Sequence, residues 1–249
     1  MKKIISSVLV FVFLMSNTYA MSFLDRRGRV EILMYHRICD NTSCNNVYCI
    51  SPEEFENDLK YFKSNGYTSM FASELAKAEL RGKKIIVITF DDGYKSDIEY
   101  AVPILEKYGF CASFYIFGSA IGKEGYLTEN DLKAMAQKEC VEIGNHTYEL
   151  HQNAASTLNL LYSNSKNTQK IISDFEKNSK YIKAVTGKDV VTATYPNGEY
   201  SSEVDRILKA NGILTTFSTK PYSFLKIQQD KPAGRKMRGA GADIKNLLK

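Results

Sequence analysis

Hydrophobic and polar residues alternate along this chain in two patterns. Short apolar runs rich in valine, isoleucine and phenylalanine are separated by longer segments whose apolar residues recur at helical spacing. The first pattern indicates strands buried on both faces, and the second indicates amphipathic helices. The predicted strands span residues 31–35, 67–71, 85–90, 111–117, 141–144, 190–195 and 213–217.

A predicted helix follows nearly every predicted strand. In the clearest helix start, Ser51 caps the helix, Pro52 takes its first position and Glu54 completes a capping box. No element is predicted for the Asn- and Ser-rich stretch before residue 168. The predicted helices span residues 52–65, 73–80, 96–108, 128–137, 168–185 and 202–210. About seven strand–helix units in succession predict a parallel sheet that closes, or nearly closes, into an α/β barrel.

Polar residues stand at the ends of four predicted strands. In an α/β barrel the chemistry takes place at the carboxyl ends of the strands. Taken alone, the Asp-Asp-Gly sequence after residue 90 is explained equally well by a solvated turn and by a functional site. The four pairs at these ends are Tyr35-His36, Asp91-Asp92, Asn145-His146 and Tyr195-Pro196. Their common position favours a functional site over a simple turn.

Composition and charge narrow the class of protein. The chain has 249 residues, of which 44% are hydrophobic and 24% charged, as in a soluble globular domain. Its net charge of +5 includes Lys2 and Lys3 of a predicted leader, so the mature chain carries +3. This excess is too small to indicate nucleic acid as a partner.

The first twenty residues have the pattern of a secretory signal peptide. Lys2 and Lys3 precede an apolar run from Ile4 to Met15, which is too short to span a bilayer comfortably. Thr18-Tyr19-Ala20 supplies small residues for a signal peptidase. We expect cleavage after Ala20, which leaves a single domain over residues 21–249. The alternative is an uncleaved anchor; a lipoprotein leader is disfavoured because no cysteine stands at the cleavage point. The predicted mature protein is exported to the periplasm, cell surface or medium, without stable membrane insertion.

Five cysteines are compatible with an oxidising compartment. Three of them, Cys39, Cys44 and Cys49, crowd one polar loop at a spacing that does not match a zinc knuckle. We predict a disulfide that clamps this loop, with Cys39–Cys49 as the first choice, although the sequence leaves the pairing open. The odd count leaves at least one free thiol.

The chain has three histidines, His36, His146 and His151, and all follow predicted strand ends. His146 and His151 with one aspartate would form a site of two histidines and one carboxylate, suited to Zn²⁺ or another first-row divalent metal. Their spacing differs from the i, i+4 pair of a metalloprotease helix. Adjacent aspartates point to opposite sides of a strand, so one can bind metal while the other acts as a base. This pattern predicts metal-assisted hydrolysis of an amide or ester.

Two segments resemble the NodB-type polysaccharide deacetylases of carbohydrate esterase family 4. Residues 89–93, TFDDG, are similar to the first family motif. Residues 146–151, HTYELH, resemble the second motif in the longer-spaced form typical of enzymes that act on poly-β-1,6-N-acetylglucosamine. Residues 34–36, 51–67 and 195–200 resemble the same branch. The resemblance covers about residues 30–217, nearly the whole mature chain.

The resemblance implies a fold, a reaction and a set of roles. The fold would be a distorted barrel of seven or eight strand–helix units, and the reaction would release acetate and a free amine from an N-acetylated polysaccharide. Asp91 would be the general base. The expected metal is Zn²⁺, with Co²⁺, Ni²⁺ or Fe²⁺ as alternatives. The implied metal ligands are Asp92, His146 and His151, and the implied substrate and oxyanion residues are Tyr195, Pro196 and Asn197.

Several features depart from the family pattern. The third motif usually carries an arginine that braces the base, but this chain has Thr194-Tyr195-Pro196 there. The chain has no tryptophan and no histidine after His151, so the usual general acid is missing. His36 is our candidate for the proton donor; alternatively, it holds the first strand end by hydrogen bonds. The basic tail, residues 220–249, either completes the barrel or lies over its surface.

These departures keep two alternatives open. One retains the site and changes the substrate to peptidoglycan or O-acetyl xylan. The other is a carbohydrate-binding relative without catalytic activity, which the missing arginine and the missing late motifs would suit. The presence of the expected base and all three expected ligands favours an enzyme.

Overall fold

The computed structural model describes residues 28–39, 46–220 and 231–249. Its strands are β1 Arg29–Tyr35, β2 Arg37–Ile38, β3 Cys49–Ile50, β4 Tyr67–Ser69, β5 Lys84–Asp92, β6 Ala112–Ile116, β7 Val141–Asn145, β8 Thr192–Thr194, β9 Thr215–Phe217 and β10 Lys236–Met237. Its α-helices are α1 Pro52–Ser64, α2 Val102–Tyr108, α3 Glu129–Met135, α4 Ala155–Ser163, α5 Thr168–Thr186, α6 Ser202–Ala210 and α7 Ile244–Leu247. The predicted leader and residues 221–230 of the tail lie outside the described residues.

The main sheet is parallel and runs in the order β10-β1-β5-β6-β7-β8-β9, with β4 also paired to β5. Its two ends meet through the tail. Ala233 bridges to Phe217 of β9, and β10 pairs in parallel with β1 at Leu33 and Met34. Residues 233–237 therefore join both edges of the sheet, so this described part of the tail completes the barrel instead of lying over its surface. This curled parallel sheet with flanking helices confirms the predicted barrel class.

The alternation of β5 residues separates an outer from an inner core. Ile86, Ile88 and Phe90 point outward and pack in one hydrophobic cluster with the buried residues of helices α1 and α2. Ile85 and Val87 belong instead to a second cluster, which contains Tyr115 and Phe217. Because side chains alternate along a strand, Thr89 and Asp91 continue the inner row, and the alternation ends at Asp92, whose φ is 80°.

Local signals account for most helix starts. Ser51 and Glu54 form the predicted capping box at the start of α1. Thr128 likewise caps α3 through the amide of Asp131. The predicted helix at 96–108 begins instead as a π-helical turn over Asp97–Ala101. Pro103 explains this change, because it has no N–H to donate to the preceding turn and its ring crowds that turn.

Two segments differ from their predicted structure. The predicted helix at 73–80 contains only a short 3₁₀ turn, Leu75–Lys77, which ends where Ala78 takes an extended conformation with a φ of −72° and a ψ of 131°. Helix α4 was not predicted, because its Asn- and Ser-rich surroundings were read as a polar stretch, although Leu158, Leu161 and Tyr162 fall at helical spacing. Within the described ranges, no helix is long and apolar enough to cross a membrane.

Candidate metal centre and catalytic site

The end of β5 presents the two aspartates to different surroundings. Asp91 continues the inner row of the barrel, where its side chain is 2% exposed. Asp92 has a φ of 80°, a left-handed conformation that non-glycine residues seldom adopt. Gly93 follows with a φ of 77°. This turn directs the two carboxylates to separate partners and is the type of backbone strain found at functional sites.

Asp92, His146 and His151 converge at one point. The Asp92 Oδ1 atom lies 3.3 Å from Nε2 of His146 and 3.0 Å from Nε2 of His151. One ligand atom from each residue lies within 4.8 Å of the other two. Asp92 and His146 are buried, whereas His151 is partly exposed, so the centre is open on one side.

The chemistry of this set fits a divalent metal. The Nδ1 atom of His146 lies 3.2 Å from the Thr194 carbonyl oxygen, which can only accept a hydrogen bond, and 2.5 Å from the Thr194 hydroxyl, which can donate or accept. The tautomer with its proton on Nδ1 donates to Thr194 and leaves the lone pair of Nε2 for a metal. Oδ1 of Asp92 is buried and has no well-oriented hydrogen bond to any described residue. Such converging acceptor atoms would be stabilised by a cation.

Charges in the centre reinforce one another. Burial alone would raise the pKa of Asp92, but contacts with His146 and His151 outweigh burial and hold that pKa well below its usual range. Burial alone would lower the pKa of His151, yet the Asp92 carboxylate raises it above the usual value. A metal would therefore compete with a proton on His151, so acid should weaken metal binding.

Asp91 is held by an arginine that sequence reasoning did not assign to the site. The Arg235 guanidinium donates to both Asp91 oxygens, at 2.7 and 2.6 Å, and to the Thr89 hydroxyl at 3.0 Å. Arg235 is 1% exposed. Burial would raise the pKa of Asp91, but Arg235 outweighs burial and lowers it. The sequence did hold a signal for such a residue: the third motif lacks its usual arginine, so a buried aspartate would need a cation from elsewhere in the chain.

His36 lies at the end of β1 with its ring centre 4.7 Å from that of Tyr48. Its Nδ1 atom is buried and has no hydrogen-bond partner among the described residues. Burial lowers the pKa of His36 despite the opposing charges of Asp91 and Asp92. His36 is therefore neutral near pH 7 in the free protein.

The predicted oxyanion residues are placed differently from one another. Tyr195 is buried, its amide donates to the Phe217 carbonyl at 3.0 Å and its hydroxyl donates to Asp205 at 2.9 Å. Both donors of Tyr195 are therefore already paired, and its expected oxyanion role stays a prediction. Pro196 has no amide hydrogen. Asn197 is exposed at the rim with a φ of 54°, and remains available to a substrate.

A disulfide joins Cys39 to Cys49, whose Cα atoms are 6.0 Å apart. It connects the end of β2 to β3, close in sequence to His36. Cys111 and Cys140 are half-buried free thiols, and Cys44 lies outside the described residues.

A parallel α/β barrel with paired aspartates and a histidine pair at its strand ends defines the polysaccharide deacetylase class. Residues 79–216 match the family model described as "Polysaccharide deacetylase". This match spans more than half of the chain, so the chain belongs to that family.

Known proteins of this family resemble the chain in sequence and in structure. It is 29% identical to YxkH of Bacillus subtilis over 201 aligned residues, and this alignment covers 79% of this chain and 67% of YxkH. It is also 28% identical to the poly-β-1,6-N-acetyl-D-glucosamine N-deacetylase of Staphylococcus aureus over 206 aligned residues. This alignment covers 75% of this chain and 70% of the relative.

Solved structures share the fold. The Streptococcus pyogenes deacetylase PplD, determined with acetate, superposes with a TM-score of 0.74 at 23% identity, covering 88% of this chain and 96% of PplD. IcaB from Ammonifex degensii superposes with a TM-score of 0.72 at 22% identity, covering 86% of this chain and 94% of IcaB.

Proposed function

We propose that the protein is an exported, metal-dependent hydrolase that removes N-acetyl groups from a glucosamine-containing polysaccharide. The observation that carries this proposal is the convergence of Asp92, His146 and His151 beside an Asp91 carboxylate that Arg235 keeps ionised. Membership of the polysaccharide deacetylase family supports it. An ionised buried base next to an open metal centre suits hydrolysis better than binding alone.

Asp92, His146 and His151 would hold the metal, with Zn²⁺ as the first candidate and Co²⁺, Ni²⁺ or Fe²⁺ as the others. When bound, such a metal polarises a carbonyl oxygen and lowers the pKa of water to about 7. Asp91 is assigned as the base that takes a proton from the attacking water. Water adds to the acetyl carbon and gives one proton to Asp91, the carbon–nitrogen bond then breaks as the nitrogen takes up a proton, and acetate and the amine leave.

Two positions complete the proposed mechanism. His36 is assigned as the proton donor to the departing nitrogen, and it would first have to take up a proton because it is neutral in the free protein. The Asn197 backbone amide is assigned to the developing oxyanion, in place of Tyr195. If His36 instead only holds the end of β1, His36→Asn should lower stability and leave the pH profile of kcat unchanged. A donor role predicts a loss of roughly 10²–10⁴-fold in kcat.

The proposed substrate is a poly-β-1,6-N-acetylglucosamine chain, because a sequence relative is described as deacetylating that polymer. Peptidoglycan and O-acetyl xylan are the alternatives within the same chemistry. Acetate release from matched samples of the three polymers, with product analysis, separates them. A non-catalytic carbohydrate-binding role was suggested by the missing third-motif arginine. That motive is weaker now that Arg235 contacts Asp91.

Export is proposed from the signal-peptide pattern of residues 1–20, and the Cys39–Cys49 pair is compatible with an oxidising compartment. Sequencing the N-terminus of protein recovered outside the cytoplasm should give Met21 as the first residue. An intact leader on the mature protein would contradict this part of the proposal.

The central experiment measures acetate release by purified residues 21–249, together with their metal content. We expect activity that chelation abolishes and Zn²⁺ restores. Asp91→Asn should retain the metal and lose activity, whereas His146→Ala should lose both. Undiminished acetate release by both variants would show that this mechanism is wrong, and glycan binding without release under any divalent metal would favour the non-catalytic alternative.

A further inference from the structure

The loop that carries two of the three proposed ligands has little regular structure of its own. The chain leaves β7 at Asn145, and between His146 and His151 it passes through Thr147, whose φ is 69°. A left-handed non-glycine residue costs energy and persists only where its surroundings hold it. Something outside the loop must therefore fix the relative positions of the two imidazoles.

Asp174 of α5 supplies one such hold. Its carboxylate accepts hydrogen bonds from the Tyr148 amide at 2.7 Å and from the Glu149 amide at 3.0 Å. These amides are consecutive and lie midway between the two histidines. A carboxylate that accepts from consecutive amides fixes the path of the backbone, because both bonds depend on the local turn.

Asn178, one helical turn further along α5, supplies a second hold. Its side-chain amide donates to the Ile116 carbonyl at 2.7 Å and to Oδ1 of Asn145 at 2.9 Å. The same Asn145 oxygen accepts from the Thr147 amide at 2.8 Å. Asn178 is fully buried, so this network is shielded from water.

The opposite side of the loop is held by the chain that follows β6. The Gly118 amide donates to the Thr147 carbonyl at 3.1 Å, and the Ser119 amide donates to the Tyr148 carbonyl at 2.9 Å. A Cβ atom at Gly118 would lie 2.2 Å from Oδ1 of Asn178, so only glycine fits there. The loop is therefore enclosed between α5 and the end of β6.

We propose that α5 sets the metal affinity of the centre, with Asp174 and Asn178 as positioning residues that pre-form the loop from His146 to His151. Neither residue contacts the centre itself. Their effect is to remove the conformational entropy that a free loop would lose when both imidazoles converge on one ion. Outer-shell partners of metal ligands typically change metal affinity by roughly 10–100-fold when mutated. The inference rests on the proposed metal site but not on the reaction or its substrate.

The test measures the affinity of the metal-free mature chain for Zn²⁺ by competition with a chromophoric chelator. Asp174→Ala should weaken Zn²⁺ binding by roughly 10–100-fold. Asp174→Asn keeps an acceptor oxygen for the amides and should retain most of the affinity. Glu176→Ala, an exposed position on the same helix, is the matched control and should leave affinity unchanged.

Asn178→Ala provides a second variant, and thermal unfolding of each metal-free protein shows whether it remains folded. A folded Asp174→Ala protein with the affinity of the parent would overturn the proposal. So would an equal loss in Asp174→Ala and Glu176→Ala. A selective loss supports it whether or not acetate is released, because Zn²⁺ affinity is measured without substrate. A parent that binds no Zn²⁺ would overturn both this proposal and the metal site.

Discussion

Replacing Arg235 with glutamine tests how the proposed base is kept ionised. In the parent, two charge-assisted hydrogen bonds of 2.7 and 2.6 Å join side chains that are 1% and 2% exposed. Removing one partner of a buried pair costs about 3–5 kcal/mol, because the remaining charge stays buried. Domains of this type are stable by about 5–15 kcal/mol, so Arg235→Gln should lower stability severely but not always abolish folding.

The same substitution should change the pH dependence of stability. The folded-state pKa of Asp91 lies below its unfolded value of about 3.9, so the pair stabilises the parent above that pH and the benefit is lost on acidification. Without Arg235, burial dominates and raises the pKa of Asp91. The difference in free energy of unfolding between parent and variant should therefore be largest near neutral pH and should shrink in acid.

The catalytic readout is the acid limb of kcat/KM for acetate release. Since Asp91 acts only when ionised, this limb should move to higher pH in Arg235→Gln. Arg235→Lys keeps the charge but not the bidentate geometry, so its acid limb should lie between those of Arg235→Gln and the parent.

Arg238 offers a matched control on the same segment. It is buried and donates to Asp58 at 2.8 Å, away from Asp91, so Arg238→Gln should lower stability without moving the acid limb. Equal acid limbs in the Arg235 and Arg238 variants would refute the reasoning.

Three further outcomes are expected. Zn²⁺ at about a hundred times its Kd should raise the free energy of unfolding by about 2.7 kcal/mol, and a denaturation midpoint insensitive to Zn²⁺ would contradict the site. Cys39→Ser should cost about 2–3 kcal/mol in urea unfolding, because the disulfide closes a loop with a sequence separation of 10; a reductant should destabilise the parent equally and leave the variant unaffected. Asp97 is fully buried, and burial raises its pKa well above the usual range. The free energy of unfolding of the parent therefore falls as pH rises from the unfolded pKa of Asp97, about 3.9, towards its higher folded-state pKa. Asp97→Asn should therefore be more stable than the parent at neutral pH, with the gain disappearing in acid; a constant gain at all pH values would exclude this cause.

Short segments of sequence were enough to predict most of the elements and to single out the proposed ligands, although α4 was missed and the helix predicted at 73–80 is only a short 3₁₀ turn. The capping residues Ser51 and Thr128 act within one turn of helix, and the apolar run of β5 specifies a buried strand without reference to its neighbours. The convergence of His146 with Asp92 followed from a general rule, since parallel strands bring their carboxyl ends to one edge.

Contacts between distant residues could not be read in the same way. Arg235 and Asp91 are 144 positions apart, and their pairing exists only because the tail enters the barrel between β9 and β1. No local period encodes that entry, so the tail could equally have been placed over the surface. Tyr195 shows the same limit: its motif placed it near the oxyanion site, but only the sheet shows that its amide pairs with Phe217.

The family resemblance implies separate roles for Asp91 and Asp92, and these roles stay predictions. The amino-acid sequence by itself determined the barrel class and singled out the aspartates and histidines that meet at its strand ends. These depend on patterns a few residues long and on the chirality shared by all strand–helix–strand units. Tertiary structure alone decided which cation pairs with the buried Asp91 and which helix contacts the segment between His146 and His151. Both depend on contacts between residues that are far apart in the sequence. Burial makes these contacts necessary, because an unpaired charge in the protein interior is costly.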